Sequence, residues 1–322
     1  MRVASLVLVA AILAPVTPLA QAPQAPQAPN TASPAPFDIY LIALSAGLPS
    51  AKNAKLEPVS IAAGYDNQPN FSADGSRILF AANRDGKQTD IYVFDRTSRR
   101  VAQLTRTAEN ENSPTFVPPG AGPAGSFSVV QSEFDKTGAR PASPIQRLWR
   151  FNADGTSPSL ILADINPVGY HAWVDSDQLV LFVLGAQGKP ATLQVASVKT
   201  GKAQIVADNA GRSLHRIPGT RLASFVQREG DSYSVKQIDP ATKKIDSLVK
   251  AVEGSSDRDM AWMPDGKTMV MSAGSKIFSW TQGATGWTEV FDAAAHQLGA
   301  VTRLAVSPKG DALAIVVAEP KR

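Results

Sequence analysis

The sequence predicts an all-β chain folded as a closed β-propeller of six four-stranded blades. Three observations carry that expectation. Short apolar strands and tight-turn signals recur with a period near 45 residues, the length of a four-stranded blade. Five such repeats are complete. The sixth is split, with two strands at each end of the chain.

Taken in chain order, residues 1–22 read as a secretory signal. Arg2 precedes the apolar run Val3 to Ala14, and small residues follow around Leu19-Ala20-Gln21-Ala22. The run is well short of the roughly 20 residues that span a bilayer, and Pro15 and Pro18 interrupt its far side, so a retained anchor is the alternative reading. Cleavage after Ala20 or after Ala22 both fit. Residues 23–36 continue a triple Gln-Ala-Pro pattern and add Pro34 and Pro36, a linker composition that favours extended polyproline II and cannot bury apolar surface.

The half-repeat at the start is Phe37-Asp38-Ile39-Tyr40-Leu41, matching a third strand, and Leu56-Glu57-Pro58-Val59-Ser60, matching a fourth. The clearest full repeat follows. It runs Asp66-Asn67-Gln68-Pro69-Asn70-Phe71-Ser72-Ala73-Asp74-Gly75, then Arg77 to Ala81, Asp90 to Phe94 and Val101 to Leu104. Its strands alternate and its turns carry Asp-Gly, the pattern of successive hairpins.

A large residue four positions before the first turn's glycine marks each innermost strand: Phe71, Phe116, His215, Trp262 and Val306, ahead of Gly75, Gly120, Gly219, Gly266 and Gly310. Trp173 fills the remaining place, where Asp175-Ser176-Asp177 replaces the glycine turn. Third strands recur at Asp90-Ile91-Tyr92, Arg147-Leu148-Trp149, Thr192-Leu193-Gln194, Tyr233-Ser234-Val235 and Lys276-Ile277-Phe278. After Val306 one more strand, Leu313 to Ala318, precedes the C-terminus. Residues 37–61 therefore complete the blade that residues 298–318 begin, which buries the last seam of the ring. An open β-sandwich leaves these complementary halves unexplained.

The run Gln68 to Gly75 through Asp90-Ile91-Tyr92 resembles the repeat of TolB and related bacterial propellers, a WD-like repeat. It is also similar to the propellers of prolyl-oligopeptidase-like peptidases. The resemblance covers roughly residues 37 to 318 and is sharpest at 63–107 and 257–292. TolB carries an α/β domain ahead of its propeller, and the peptidases carry a hydrolase domain beside theirs. Between Ala22 and Phe37 there is room for neither, so residues 37–322 are expected to be a propeller alone. What the resemblance implies is a type of activity, protein binding in the cell envelope.

Composition narrows the chemistry. Formal net charge is +4, with basic and acidic residues interleaved, so no stripe for nucleic acid stands out. The absence of cysteine removes disulfides, thiolate nucleophiles and a lipidated cysteine. Three histidines give little material for a metal site, and neither metal nor cofactor is expected. Gly-x-Ser-x-Gly is approached only by Ala43-Leu44-Ser45-Ala46-Gly47, which lacks the first glycine. Phosphate-binding and zinc-protease signatures are missing too.

Candidate contacts therefore come from the loops that lead into the innermost strands: Asp66, Asn67, Glu111, Asn112, Tyr170, His171, Arg212, Asp257, Arg258, Asp259 and Arg303. Phe134 joins them from the long insertion Glu133 to Pro144 in the second repeat. This polar, mixed-sign set is expected to form a rim that binds a protein or peptide, or to cap strands and exchange salt bridges around a solvated edge. Asp66, Glu111, Asp257 and Asp259 also supply carboxylates for acid–base work if two face each other across the channel. His171 and His215 are expected to be satisfied structural histidines. The function expected is a non-catalytic periplasmic or secreted binding scaffold. It is a monomer with an envelope protein or peptide as partner, and with no membrane segment after signal cleavage. The alternatives are a hydrolase or lyase acting on a glycan, lactone or peptide at the central channel, or a propeller that serves a separate catalytic subunit.

Overall fold

The computed structural model describes residues 36–44, 48, 54–133, 145–255 and 258–318. Two strands come first, β1 (Phe37–Ala43) and β2 (Leu56–Ser60). Blade one is β3 (Tyr65–Phe71), β4 (Arg77–Asn83), β5 (Asp90–Asp95) and β6 (Arg100–Gln103). Blade two is β7 (Asn110–Phe116), β8 (Phe127–Glu133), β9 (Ile145–Phe151) and β10 (Ser159–Ile161). Blade three is β11 (Val168–Trp173), β12 (Gln178–Val183), β13 (Thr192–Ser197) and β14 (Lys202–Asp208). Blade four is β15 (Ala210–Arg216), β16 (Ala223–Glu229), β17 (Ser232–Ile238) and β18 (Ile245–Lys250). Blade five is β19 (Met260–Trp262), β20 (Thr268–Ala273), β21 (Lys276–Thr281) and β22 (Thr288–Asp292). A short 3-10 helix, Ala293–His296, is capped by the Asp292 carboxylate and leads to β23 (Val301–Val306) and β24 (Ala312–Ala318).

The split blade closes as the half-repeats predict. β1 pairs antiparallel with β24 from Phe37 opposite Ala318 to Ala43 opposite Ala312, and β2 pairs with β1 on its other edge. Blade six is thus β23, β24, β1 and β2. One parallel bridge, Phe37 to Tyr65, joins it to blade one, so these two blades form a single eight-stranded sheet while the other four are separate.

Burial explains why the ring holds. The second strands are apolar on both faces, as in Arg77–Asn83 and Ala312–Ala318, because each is sandwiched between neighbouring blades. The buried apolar residues form six clusters, one at each boundary, running round to the seam where Ile39, Ala314 and Val316 of blade six meet Phe71, Ile78 and Phe80 of blade one. Phe127 and Phe151 stack at 5.6 Å, both essentially fully buried. A side chain of that size contributes about 1.5–3 kcal/mol by burial.

The turns are built as the Asp-Gly pairs suggest. Gly75 takes φ +70° while the Asp74 carboxylate accepts hydrogen bonds from the Ser72 hydroxyl at 2.6 Å and the Ser76 amide at 3.0 Å. In blade three Asp175 does the same work, accepting from the amides of Asp177 and Gln178 at 2.8 Å. Gly266 answers a tighter need: a Cβ there would lie 2.3 Å from the Pro218 carbonyl oxygen in the adjacent blade's turn.

Candidate functional site

The inner strands touch one another in sequence around the axis, and β23 returns to β3. Five of them carry a register shift near their start, at Asn67 to Asn70, Asn112 to Thr115, Val168 to Tyr170, Ala210 to Leu214 and Val301 to Arg303. In β3 and β7 the shift coincides with Gln68-Pro69 and Ser113-Pro114, with Gln68 at φ +60° and Ser113 at φ +54°. Proline cannot donate to the ladder, and a bulge is where a strand accommodates it.

A bulge also re-aims side chains, here across blade boundaries. Gln68 Oε1 accepts from the Ser113 amide at 2.7 Å, and Asn70 Oδ1 from the Phe116 amide at 3.0 Å. Ser213 Oγ accepts from the Met260 amide at 3.1 Å, and Asp259 Oδ2 from the Leu304 amide at 2.6 Å.

The lead-in residues of blades one and two turn inward. Asp66 is fully buried, with Arg84 Nη2 2.6 Å from its carboxylate, and burial pushes its pKa up to about 6 against the pull of that arginine. Asn67 is buried and accepts from the Gln68 amide at 2.8 Å. Glu111 is also fully buried; it accepts from Thr105 Oγ1 at 3.0 Å, from Gln131 Nε2 at 3.0 Å and from Thr107, and burial pushes it up to about 7. Asn112 lies in β7 opposite Val130. The expected solvated rim is corrected here for Asp66, Asn67 and Glu111, which are buried in the sheet; polar side chains meet the two acids.

Tyr170, His171, Arg212, Asp259 and Arg303 line one axial cavity of about 590 Å³. Arg303 reaches from β23 to β11, the inner strand of the opposite blade, where its Nη2 donates to Tyr170 Oη at 3.0 Å. Its guanidinium carbon is 5.5 Å from the centre of the Tyr170 ring, and its Nη1 is 3.9 Å from Asp259 Oδ1. Nearby, the Tyr65 phenol is pushed up to about 12, chiefly by burial, with Tyr170 adding to the rise and Arg303 and Arg212 opposing it.

His171 Nε2 shares a hydrogen bond of 2.7 Å with Ser128 Oγ, which also accepts from Trp173 Nε1 at 2.9 Å. Its Nδ1 is buried without a hydrogen-bond partner. Burial pushes His171 down to about 3. His215 lies 3.2 Å from Ser213 Oγ, and burial, helped by Arg303, takes it down to about 4. Both imidazoles are neutral at pH 7.

The tryptophan contact repeats in blade five, where Trp262 Nε1 donates to Ser224 Oγ at 2.8 Å. These bonds give the two marker tryptophans a polar contact across the blade boundary besides their packing. A signal was present: Ser128 and Ser224 are each the second residue of the second strand in the blade before a marker tryptophan.

Arg258 lies outside the cavity, in a groove of about 410 Å³ lined also by Phe182, Arg212, Arg228 and Tyr233. Its guanidinium stacks 3.3 Å from the centre of the Tyr233 ring. No carboxylate is among the described residues that line this groove. Phe134 and Asp257, like residues 1–35, lie outside the described residues. Of the described candidate acids only Asp259 lines the axial cavity, so Asp66, Glu111 and Asp259 are not brought together as an acid–base pair there.

No protein-family model matches this chain, and no curated protein does. Solved structures do. A putative TolB from Agrobacterium tumefaciens matches with a TM-score of 0.66 at 14% identity, covering 89% of this chain and 99% of that one. TolB from Acinetobacter baumannii matches with a TM-score of 0.55 at 13% identity, over 89% of this chain and 65% of that one. A chain of a nidogen/laminin complex matches with a TM-score of 0.54 at 10% identity, over 83% and 97%. The chain has the TolB-like propeller fold.

Proposed function

We propose that this TolB-like propeller is a non-catalytic binding module of the cell envelope, periplasmic or secreted, that docks a protein segment on its lead-in face. In this reading residues 1–22 direct export, residues 23–36 act as a spacer and residues 37–322 form the ring. The observation that carries it is the groove of blades three to five. Arg212, Arg228 and Arg258 gather there with the aromatic rings of Phe182 and Tyr233. Arginine and aromatic side chains are the residue types that dominate protein–protein contacts, so the groove fits a protein segment. Among the described residues no helix is long and apolar enough to cross a membrane.

The test is crosslinking of the native protein in intact cell envelopes followed by mass spectrometry, repeated with the double variant Arg228→Ala, Arg258→Ala. One reproducible partner, lost in a variant that melts like the parent, supports the reading. No reproducible partner, or one indifferent to the variant, overturns it.

A further inference from the structure

Blades one and two meet through two buried acids. Asp90 opens β5, the third strand of blade one, and Glu111 lies near the start of β7, the inner strand of blade two; the first is 8% exposed and the second 0%. One run of hydrogen bonds holds both. Gln103 Nε2 donates at 3.0 Å to Asp90 Oδ2 and to the Thr105 carbonyl, while Thr105 Oγ1 accepts from the Ile91 amide at 2.8 Å and donates to Glu111 Oε2 at 3.0 Å. Thr107 and Gln131 donate to the other oxygen of Glu111. Asp90 Oδ1 is buried and has no donor.

No cation offsets the two charges. Among the described residues neither acid is in a salt bridge. Arg84 and Arg106 stand on the side of Tyr92, and Arg84 is engaged by Asp66. The further charge facing Asp90 is Asp85, of like sign and itself 3.9 Å from Lys87 Nζ; Glu109 precedes Glu111 by two residues. Two carboxylates in contact offer only acceptors, whereas a proton on one turns the contact into a strong, charge-assisted hydrogen bond. Glu111 is the acid placed to keep that proton, since burial pushes it up to about 7. Burial raises Asp90 as well, a hydrogen bond from the Glu111 carboxyl lowers it, and Asp85 raises it again.

We propose that Asp90 and Glu111 share a single proton, Glu111 donating to Asp90 Oδ1, and that this acid–carboxylate bond is a pH-sensitive switch across the boundary of blades one and two. Below neutrality the proton is present and the boundary is closed. As pH rises past neutrality the proton passes to solvent and two like charges face each other inside the sheet. The connection 104–109, which carries Thr105 and Thr107, then loosens from β5 and β7.

The experiment is ¹³C NMR of the Asp and Glu side-chain carboxyls of the full chain from about pH 4 to about 9. The Asp90 and Glu111 resonances are expected to titrate as one unit, each moving at both steps of the pair, with the upper step near neutrality. Two independent titrations, each complete below about pH 5, overturn the inference, as does a Glu111 step that leaves the Asp90 resonance unmoved. Asp90→Asn removes the facing charge and is expected to lower the Glu111 midpoint by about one unit or more, a tenfold loss of proton affinity; an unmoved midpoint overturns the pairing. The parent readouts stand whether or not that variant folds. Hydrogen exchange on the parent reads the switch itself, through the Ile91 amide on Thr105 Oγ1 and the Glu111 amide on the Thr89 carbonyl. Corrected for intrinsic exchange, their protection is expected to fall about tenfold between about pH 6 and about 8.5, while that of Val226 in blade four holds. No fall, or an equal fall at Val226, overturns the switch.

Discussion

Blades one and two use the start of the inner strand differently from blades three and six. In the first pair the residues there are the acids Asp66 and Glu111, each fully buried and met from its own sheet or the adjoining loop, by Arg84 in one case and by Thr105, Thr107 and Gln131 in the other. In the second pair they are Tyr170 and Arg303, which reach across the axis to each other. Counted back from the marker residues, Asp66 and Glu111 stand five positions before Phe71 and Phe116, whereas Tyr170 and Arg303 stand three before Trp173 and Val306, so the clamp and the cavity floor fall on different positions of the strand. At the position of the two acids, blades three and six carry Val168 and Val301, both buried, so it is side-chain chemistry at that position that decides whether a polar clamp forms there.

The strongest way to break the comparison is to empty a clamp. Glu111→Ala leaves Thr105, Thr107 and Gln131 without their shared acceptor, and Thr105 Oγ1 in turn accepts from the Ile91 amide of β5 at 2.8 Å. A loss of about 3 kcal/mol in unfolding free energy is expected by urea denaturation, since several buried donors lose their partner at once. An unchanged midpoint would show that the acid is incidental to the blade.

The buried acids and the buried histidines answer oppositely to pH. Glu111 is raised from 4.5 to about 7 and Asp66 from 3.8 to about 6, so the folded chain binds more protons than the unfolded one between those values. Their contribution is fully present below the unfolded values and is lost as pH rises through about 7. His171 and His215 are lowered from 6.5 to about 3 and about 4, so here the unfolded chain binds more protons and stability is lost as pH falls below about 6.5. Glu111→Gln should flatten the rise in stability between about pH 8 and 6, worth about 1–2 kcal/mol, and leave the acid limb intact. Denaturation midpoints across pH give both limbs, and a Gln variant with the parent's profile would contradict the assignment.

The smallest effect is expected on the axial side. Tyr170→Phe removes the Arg303 to phenol hydrogen bond while keeping the ring against the guanidinium, and should cost about 1 kcal/mol or less in thermal stability. A larger loss would mean that the floor helps to hold the ring as well as to shape its cavity.

The fold was legible because it is periodic. Each marker residue, Asp-Gly turn and third strand repeats the same two-faced pattern, and the split repeat at Phe37 and Leu313 announces the closure directly. The candidate site was legible only as a set of residues. Spacing placed Asp66 and Arg303 in the lead-in segments of their blades, yet the surroundings of one and the reach of the other depend on Arg84 and Tyr170, which lie outside their own strands. Gln68-Pro69 and Ser113-Pro114 were the available clue, since proline inside an inner strand signals a bulge and a redirected side chain. The tryptophan to serine bonds were hidden for a further reason: each joins two blades, and a repeat aligned on itself shows only what happens within one.

Closure by β1 also has a consequence in time. Phe37 pairs with Ala318, so although β2 covers one edge of the first strand, its other edge has a neighbour only once β24 is present. Any process that delivers the polypeptide from its N-terminus, whether synthesis or passage through a pore, leaves one edge of β1 open and the seam unsealed until β24 arrives. β24 is thus the latch of the ring.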